Sequence, residues 1–319
     1  MASQPLGSRI QRSSLSRQRW PARPAMLGLA GDSGSGKATI AAGLVAALGA
    51  DRAAVVSMDD YHRHDRAEQR DLPETALHPD ANYIEIADQH VELLAAGHPV
   101  LKPTYDHHTG TLGRPVVAEP REFLVVEGLL ALCSPRARAC YAAAVYLDTP
   151  ESLRRRWKLE RDTSERGYRE EEDHDELDRR EPDAEAFVRT QRAHADIVVR
   201  FAPVPERGES LDHPLSATIL LRPTIAQPNL VGILTDEHKE AIELTLGRDE
   251  YGKPADILHV YASAPSALAR EVAAGVWAQL GGTEAVPESL GTLRSGSRSP
   301  TLALVQLLLV YQLIQAAQA

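Results

Sequence analysis

Residues 26–37, MLGLAGDSGSGK, decide the fold, because a short apolar run leads directly into a glycine-rich turn that ends in a lysine. The apolar run over 26–30 predicts a strand, and the composition of 38–48 predicts a helix. Glycines let consecutive backbone N–H groups turn inward around phosphate oxygens, and the start of the helix adds a partial positive charge beside Lys37. The pattern GxxxxGK in a strand–turn–helix context therefore predicts a loop that binds nucleotide phosphates.

The residue after this lysine departs from the usual pattern. It is commonly Ser or Thr, whose hydroxyl binds Mg²⁺, but here it is Ala38. Thr39 comes one place later and points about 100° away around the helix, so it is no obvious substitute. Phosphate binding is compatible with this change, whereas a weaker Mg²⁺ site is expected. The nucleotide-binding residues predicted by the motif are Gly31, Asp32, Ser33, Gly34, Ser35, Gly36, Lys37, Ala38 and Thr39.

Outward from the loop, strand and helix patterns alternate through residues 26–200. This alternation predicts a mainly parallel sheet flanked by helices, the α/β architecture of P-loop NTPases. We divide the chain into a disordered leader over 1–25, a P-loop core over 26–200 and a C-terminal α/β extension of the sheet over 201–319. Within the core, further strands are predicted at 53–58, 123–126, 142–147 and 197–200, and a helix at 84–96.

The two ends of the chain are interpreted from composition. Residues 1–24 hold five Arg, many Ser and no acid, which suits an organelle transit peptide and a disordered bacterial leader equally; we favour the leader. The apolar segment 302–314 is interrupted by Gln306 and Gln312 and is shorter than the roughly 18 residues of a membrane span, so it predicts a buried helix. Strands are also predicted at 217–221 and 258–262, a helix at 265–280 and a loop at 291–300.

Charge and cysteine content exclude several classes of protein. The 319 residues include 35 Lys and Arg against 45 Asp and Glu, and the net charge of −10 argues against a general nucleic-acid binder while allowing a local cationic pocket. Cys133 and Cys140 are too few for a disulfide framework and lack metal-ligand spacing, which favours a reducing cytoplasm. The 12 histidines include no HExxH motif, so no histidine metal site is predicted.

Two acids lie at the ends of predicted strands. Asp59 follows the strand at 53–58, and Glu127 follows the strand at 123–126. Open parallel sheets bind ligands beyond the carboxyl ends of their strands, where a carboxylate can accept a proton from a substrate hydroxyl or hold Mg²⁺. A turn or a helix cap is the alternative role for Asp59 on its own, but the phosphate loop one strand away favours chemistry. Asp59 and Glu127 are therefore candidate catalytic and metal-binding acids.

A charged segment follows at 157–167, WKLERDTSERG. At helical spacing, one face carries Lys158, Arg161, Asp162 and Glu165. That face is either a solvated set of ion pairs or a cationic lid that neutralises a migrating phosphoryl group, and both interpretations stay open. The acidic stretch 170–181 is better explained as a solvated helix face.

Taken together, GDSGSGKAT, SMDDYHRHDR, KPTYDHHTG, VVEGL and WKLERDTSERG occur in an order that resembles the phosphoribulokinase/uridine kinase family, most closely its plant and cyanobacterial phosphoribulokinase type. The resemblance is strong over 26–200 and weaker through the rest of the chain. It implies ATP-dependent phosphorylation of D-ribulose 5-phosphate at its 1-hydroxyl, with Mg²⁺ as cofactor. We also expect a homodimer. The charge, the lack of a long apolar window and the cysteine content predict a cytoplasmic protein that binds neither nucleic acid nor membranes, with an organelle stroma as the less favoured location.

The resemblance assigns roles to individual residues of this sequence. Arg66 and Arg166 would neutralise a sugar phosphate, a requirement that a nucleoside kinase lacks, and this favours a sugar phosphate over uridine. The residues implied for catalysis are Asp59, Lys158, Arg161 and Asp162; for the acceptor substrate His62, Arg66, Tyr105, His107 and Arg166; and for the metal Asp59 and Glu127.

Four positions depart from the family pattern. Ala38 replaces the metal-binding Ser, and Leu130 stands where the family motif has His. Ser35 and Ser57 occupy the positions of the cysteines in redox-regulated members, so a thiol switch through that pair is excluded. Two alternatives therefore remain open: a related kinase for uridine or another sugar phosphate, and a nucleotide-binding protein that has lost its activity with the hydroxyl at position 38.

Overall fold

The computed structural model describes residues 23–165, 178–211, 214–281, 285–293 and 295–319, and for 161–165 it describes the backbone alone. The predicted leader therefore lies outside the described residues up to position 22. The same holds for Arg166 and for most of the acidic stretch 170–181. The side chains of Arg161 and Asp162 are also outside the description.

One eight-stranded sheet carries the fold. Its order is β11-β12-β10-β9-β8-β1-β7-β2, in which β9, β8, β1, β7 and β2 are parallel neighbours and the remaining pairs are antiparallel. The predicted mainly parallel α/β sheet with a C-terminal extension is confirmed. The strands are β1 Ala25–Gly31, β2 Ala53–Ser57, β3 Val100–Lys102, β4 Tyr105–Asp106, β5 Thr111–Leu112, β6 Val116–Ala118, β7 Phe123–Gly128, β8 Ala143–Leu147, β9 Ile197–Ala202, β10 Ser216–Leu221, β11 Ile242–Arg248 and β12 Pro254–Val260.

Helices cover both faces of this sheet, which explains why the central strands are apolar without alternation. On one face Leu27 and Leu29 of β1 belong to the same cluster as Ile40; on the other, Met26 belongs to the same cluster as Leu94. The helices are α1 Lys37–Leu48, α2 Arg66–Arg70, α3 Ile84–Ala95, α4 Pro135–Arg138, α5 Glu151–Glu165, α6 Ser266–Gln279 and α7 Pro300–Gln318.

The C-terminal helix α7 is a core element. Ser299 caps it by accepting a hydrogen bond from Leu302 N, and Pro300 occupies its first turn. By length and composition α7 could cross a membrane, but 67% of its most apolar window is buried inside the protein. The buried helix predicted at 302–314 is therefore confirmed, with two further residues at its start and four at its end.

The C-terminal part contains one strand that the sequence did not predict and one whose predicted bounds were wrong. β11 was not predicted, because its residues IELTLGR are half polar and only Ile242 is buried at this outer edge of the sheet. β12 runs over Pro254–Val260 rather than 258–262, since its first residues, with a leading Pro, read as a turn. β9 continues past residue 200 and pairs with β10, so the sheet runs without interruption from the predicted core into the extension. The division at residue 200 stays a prediction.

Candidate functional site

The phosphate loop lies between β1 and α1, at the carboxyl end of the parallel strands. Gly34 and Gly36 adopt left-handed φ values of 80° and 97°, which glycine tolerates best. A Cβ at Gly34 would also lie 2.7 Å from the carbonyl oxygen of Arg154 on α5. Lys37 is buried, and its ammonium donates to the carbonyl oxygens of Gly31 at 2.8 Å and Asp32 at 3.1 Å. The loop is therefore folded around its own cation.

A partly buried ion-pair network connects this loop to two arginines. Asp32, 6% exposed, lies with one carboxylate oxygen 3.7 Å from Arg154 Nε and 3.2 Å from Arg189 Nε. Glu181 pairs with both arginines, and its bond to Arg189 measures 2.5 Å. Sequence reasoning placed Asp32 in the loop but missed Arg154 and Arg189. The RRRW run at 154–157 was the available signal for Arg154, and it does not include Arg189.

The two candidate acids meet where β2 and β7 end. Ser57 and Glu127 are partners in the parallel register of these strands, and Asp59 lies in the turn Met58–Asp60 directly after β2. Asp59 Oδ1 accepts a hydrogen bond from Leu129 N at 2.8 Å. Gly128 permits this contact, because a Cβ there would lie 2.9 Å from Asp59 Oδ1.

The environment of Glu127 favours its protonated form. Burial, and then the charge of Asp59, raise the pKa of Glu127 to about 7, while Lys37 and a hydrogen bond from Ser57 act in the opposite direction. A buried carboxylate beside a second carboxylate is stabilised by a bound cation.

This donor set fits Mg²⁺ shared with phosphates. Asp59, Glu127 and Ser57 offer hard oxygen donors, which Mg²⁺ prefers. Among the described residues no cluster of three or more acidic, histidine or cysteine side chains could hold a metal alone. Phosphate oxygens and water would have to complete the coordination, as is usual for Mg²⁺ in kinases. Ala38 and Thr39 both line the same cavity, and Ala38 offers no oxygen.

Aromatic and basic side chains gather beside the acids. The rings of His62 and Tyr105 meet edge to face at 4.7 Å, and those of Tyr105 and His107 at 5.0 Å. His62 is buried and its Nδ1 lies 2.7 Å from Asn82 Oδ1; burial lowers its pKa. The Arg66 guanidinium donates to the carbonyl oxygen of His107 at 2.5 Å. Four residues predicted to bind the acceptor are thus brought together.

A second ion pair, which sequence reasoning missed, fixes this group to the acids. Lys102 is buried and pairs with the carboxylate of Asp60, and the other oxygen of that carboxylate accepts a hydrogen bond from Tyr105 N at 2.8 Å. The turn that holds Asp59 and the strand that holds Tyr105 are therefore joined through Asp60. The motifs DDYH and KPTYDHH supplied these residues, but not their pairing.

One cavity of about 1660 Å³ joins the loop, the acids and the aromatic group. Lys158 does not line it: this residue is buried behind the loop, and a Cβ at Gly34 would lie 2.9 Å from Lys158 Cβ. Gly31 and Asp32 also lie outside the lining. The predicted site residues that line the cavity are Ser33, Gly34, Ser35, Gly36, Lys37, Ala38, Thr39, Asp59, His62, Arg66, Tyr105, His107 and Glu127.

A glycine-rich phosphate loop between β1 and α1 of a mainly parallel sheet defines the P-loop class of nucleotide-binding proteins. Residues 26–206 match the model of the phosphoribulokinase / uridine kinase family, and the chain belongs to that family.

Individual relatives agree with this assignment. The chain is 36% identical over 181 residues to a phosphoribulokinase of Synechocystis sp., covering 57% of this chain and 54% of that protein. It is 33% identical over 204 residues to a chloroplastic phosphoribulokinase of Arabidopsis thaliana, and this match covers 58% of this chain and 52% of that protein. A uridine kinase of Clostridium perfringens is 34% identical over 148 residues, and this match covers 46% of this chain and 71% of that protein. The chain thus spans about half the length of the phosphoribulokinases it matches.

The fold extends this likeness beyond the aligned segment. A solved phosphoribulokinase from Rhodobacter spheroides superposes with a TM-score of 0.58 at 14% identity, covering 94% of this chain and 100% of that one. At this identity the match shows the fold alone. It includes the C-terminal extension, which lies outside residues 26–206.

We expect Glu127→Gln to stabilise the metal-free protein at pH 8 and to change it less at pH 5. The pKa of this carboxyl is about 7 in the folded chain, whereas the ordinary pKa of a glutamate side chain is 4.5. The free energy of unfolding therefore falls as pH rises from 4.5 to about 7, and the loss of stability is complete above the pKa of the folded state. Glutamine stays neutral at every pH, so the Glu127→Gln protein does not suffer this loss. Thermal unfolding in EDTA at both pH values measures it.

Glu122→Gln is the matched control, and its expected effect on stability at pH 8 has the opposite sign. The pKa of Glu122 is lowered by its hydrogen bond from Arg52, so Glu122→Gln should reduce stability at pH 8. A lower melting temperature for Glu127→Gln at pH 8 would contradict the assigned environment of Glu127.

Proposed function

We propose that this chain transfers the γ-phosphoryl group of ATP to the 1-hydroxyl of D-ribulose 5-phosphate, giving ribulose 1,5-bisphosphate and ADP. One observation carries the proposal: a single cavity contains the phosphate loop, two carboxylates and a cationic, histidine-rich acceptor group. Phosphoryl transfer needs positioning and charge neutralisation more than covalent catalysis, and this cavity offers both.

Asp59 is the base in this proposal. The hydrogen bond from Leu129 N fixes one carboxylate oxygen, so the carboxyl group has a defined position from which it can accept the proton of the substrate hydroxyl. Lys37 and the backbone N–H groups of the loop hold the transferring phosphate and neutralise its charge. Mg²⁺, held by Glu127 and Asp59, would neutralise the phosphate oxygens further.

The phosphate of the acceptor requires cations that ATP does not use. Arg66 lines the cavity next to His62 and His107. Four more arginines line the same cavity: Arg70, Arg179 and Arg180 belong to the part of the chain that the family model matches, and Arg298 lies beyond it. A guanidinium matches the geometry of a phosphate group and is always charged. This concentration of positive charge supports a phosphorylated acceptor over a nucleoside.

Substrate-dependent ATP consumption tests the proposal. We expect turnover with ribulose 5-phosphate, and none with uridine, across a Mg²⁺ series. The uridine kinase of Clostridium perfringens, which is as similar as the phosphoribulokinases over a shorter segment, makes a uridine-type acceptor the second candidate. Turnover of uridine alone would reject the first proposal in favour of the second. The homodimer and the cytoplasmic location stay predictions.

We expect Ala38→Ser to lower the Mg²⁺ concentration for half-maximal rate several-fold, roughly the worth of one added oxygen contact of about 1 kcal/mol. A serine hydroxyl at this place in the loop is the usual Mg²⁺ ligand. A Mg²⁺ titration of the initial rate at saturating ATP measures the change. Ala42→Ser, on an exposed position of the same helix, is the control.

The same titration tests the inactive alternative. If the unaltered chain shows no turnover with any of these acceptors and Ala38→Ser restores it, the chain is a nucleotide-binding protein that lost its activity at position 38. An unchanged Mg²⁺ requirement in an active Ala38→Ser variant would instead show that position 38 does not contact the metal.

A further inference from the structure

The cavity has a second end, built mainly by a part of the chain that the family match leaves out. Residues 26–206 hold the loop, the acids and the acceptor group. The lining continues through Leu215, Ala262, Ser295 and residues 297–302, while residue 294 is outside the described chain. Trp157 and Phe201 line the same end. This end combines apolar side chains with several hydroxyl groups and one guanidinium, that of Arg298, whereas the acceptor end is rich in both histidine and arginine.

We infer that this C-terminal wall forms the nucleoside subsite for the nucleoside triphosphate, and that Gln306 positions it. The inference rests on the proposed phosphate loop and assigns the part of the nucleotide that the loop does not hold. A transferring phosphate must face Asp59, so the rest of the nucleotide must leave the loop in another direction. Ligand sites for bases and sugars combine apolar walls with a few polar groups, which is the composition of this end.

The indole of Trp157 marks the border between loop and wall. A Cβ at Gly36 would lie 3.8 Å from its ring. The ring therefore sits next to the turn of the loop, where the nucleoside would emerge. An aromatic ring at such a place offers a flat apolar face to a base.

Hydrogen bonds hold the hydroxyl-bearing segment against the sheet. Thr301 donates to the carbonyl oxygen of Leu215, which precedes β10, at 3.0 Å. Ser299 pairs with Thr301, and Arg298 donates from Nε to the carbonyl oxygen of Leu290 at 2.9 Å. Ser295 and Ser297 are bonded to each other at 2.7 Å on the exposed side of the segment. The wall is thus a fixed part of the fold.

Gln306 ties this wall to the phosphate-loop helix. It is fully buried in α7; its Oε1 accepts from Gly291 N at 2.7 Å and its Nε2 donates to Thr39 O at 3.1 Å. Gly43 leaves room for it, since a Cβ there would lie 2.0 Å from Gln306 Nε2. One amide therefore connects the first turn of α1 with the start of the segment that lines the cavity. This explains a polar residue in the middle of an apolar helix.

The first test blocks the subsite sterically. Ala262→Trp places a large side chain in the wall, whereas Ala267→Trp is exposed and outside the lining. Affinity is measured by calorimetry for ATP and for inorganic tripolyphosphate, which keeps the phosphates and lacks the nucleoside. We expect Ala262→Trp to weaken the affinity for ATP at least about tenfold, or 1.4 kcal/mol, and to leave the affinity for tripolyphosphate unchanged. Ala267→Trp should change neither affinity.

The second test removes the positioning amide. Gln306→Met should reduce the ratio of ATP to tripolyphosphate affinity in the same direction. Gln312→Met is the matched control, because Gln312 is also buried in α7 but donates to Ala226 O. Equal weakening of both ligands by Gln306→Met, or by Ala262→Trp, would place the effect in the loop and overturn the inference.

These measurements need no acceptor. The nucleoside subsite can therefore fail while turnover of ribulose 5-phosphate succeeds, or the reverse. If neither substitution changes the affinity for ATP, the C-terminal wall does not contact the nucleotide.

Discussion

Asp59→Asn is expected to lower kcat by about 10²–10⁴-fold, the usual contribution of a positioned base, while ATP binding is retained. Asparagine keeps the shape of the side chain and still offers an oxygen to Leu129 N, so the turn after β2 should keep its conformation. What it loses is the ability to take up the proton of the attacking hydroxyl. Steady-state turnover with ribulose 5-phosphate and calorimetric titration with ATP measure the two effects separately.

Asp80→Asn provides the control for this substitution. Its carboxylate is 88% exposed in the turn Pro79–Ala81 and lies outside the cavity lining. We expect it to leave kcat unchanged. Turnover of Asp59→Asn close to that of the unaltered chain would remove Asp59 from the role of base, and another group would then have to accept the proton.

The parts of the fold that could be predicted are those in which local pattern and burial agree. β1 and β7 are apolar runs buried on both faces, and α1 begins at the lysine of the phosphate loop. β11 could not be predicted in this way because it is the edge strand of the sheet, largely accessible to solvent, and therefore needs few apolar side chains. A half-polar edge strand has no sequence signature of its own.

In the candidate site, too, some features could be predicted from the sequence and others could not. Motifs reveal residues that touch phosphates, acids or a substrate, because their types and spacing reflect chemistry. They do not reveal pairings between distant residues, such as Asp32 with Arg189, which are 157 positions apart, or Lys102 with Asp60. Gln306 was noticed only as an interruption of an apolar run. Its reach to Thr39 depends on how α7 packs against α1, which the sequence does not specify.

Ser35 and Ser57 stand where redox-regulated members of the family have cysteines, and the structure shows what surrounds each of them. The Ser57 hydroxyl donates to Glu127 and opposes the rise of its pKa, so it acts directly on a candidate metal ligand. Ser35 is buried in the loop, and its hydroxyl has no hydrogen-bond partner among the described residues. A thiol at position 57 would be a weaker donor to Glu127.

Lys37→Met is expected to lower kcat/KM by about 10²–10³-fold, because it removes a preorganised charge from the transferring phosphate. The ammonium is already held by two carbonyl oxygens at the loop, so its charge needs no rearrangement before it meets a phosphate. Methionine keeps the length and apolar stem of the side chain. Lys253→Met removes an exposed ammonium that donates to the carbonyl oxygen of Ala193 and does not line the cavity, so it should leave the rate unchanged.

The same substitution has a second, independent consequence at Glu127. The charge of Lys37 lowers the pKa of this carboxyl, which burial and Asp59 raise to about 7. Without the ammonium, the pKa of Glu127 in the metal-free protein should rise further, because a nearby positive charge that favours the ionised carboxylate has been removed. Carboxyl ¹³C NMR of both proteins in EDTA measures this shift directly. A Glu127 pKa that is unchanged in Lys37→Met, beside a reduced rate, would mean that the lysine acts on the phosphate alone and that the two carboxylates determine the charge state of the metal site without it.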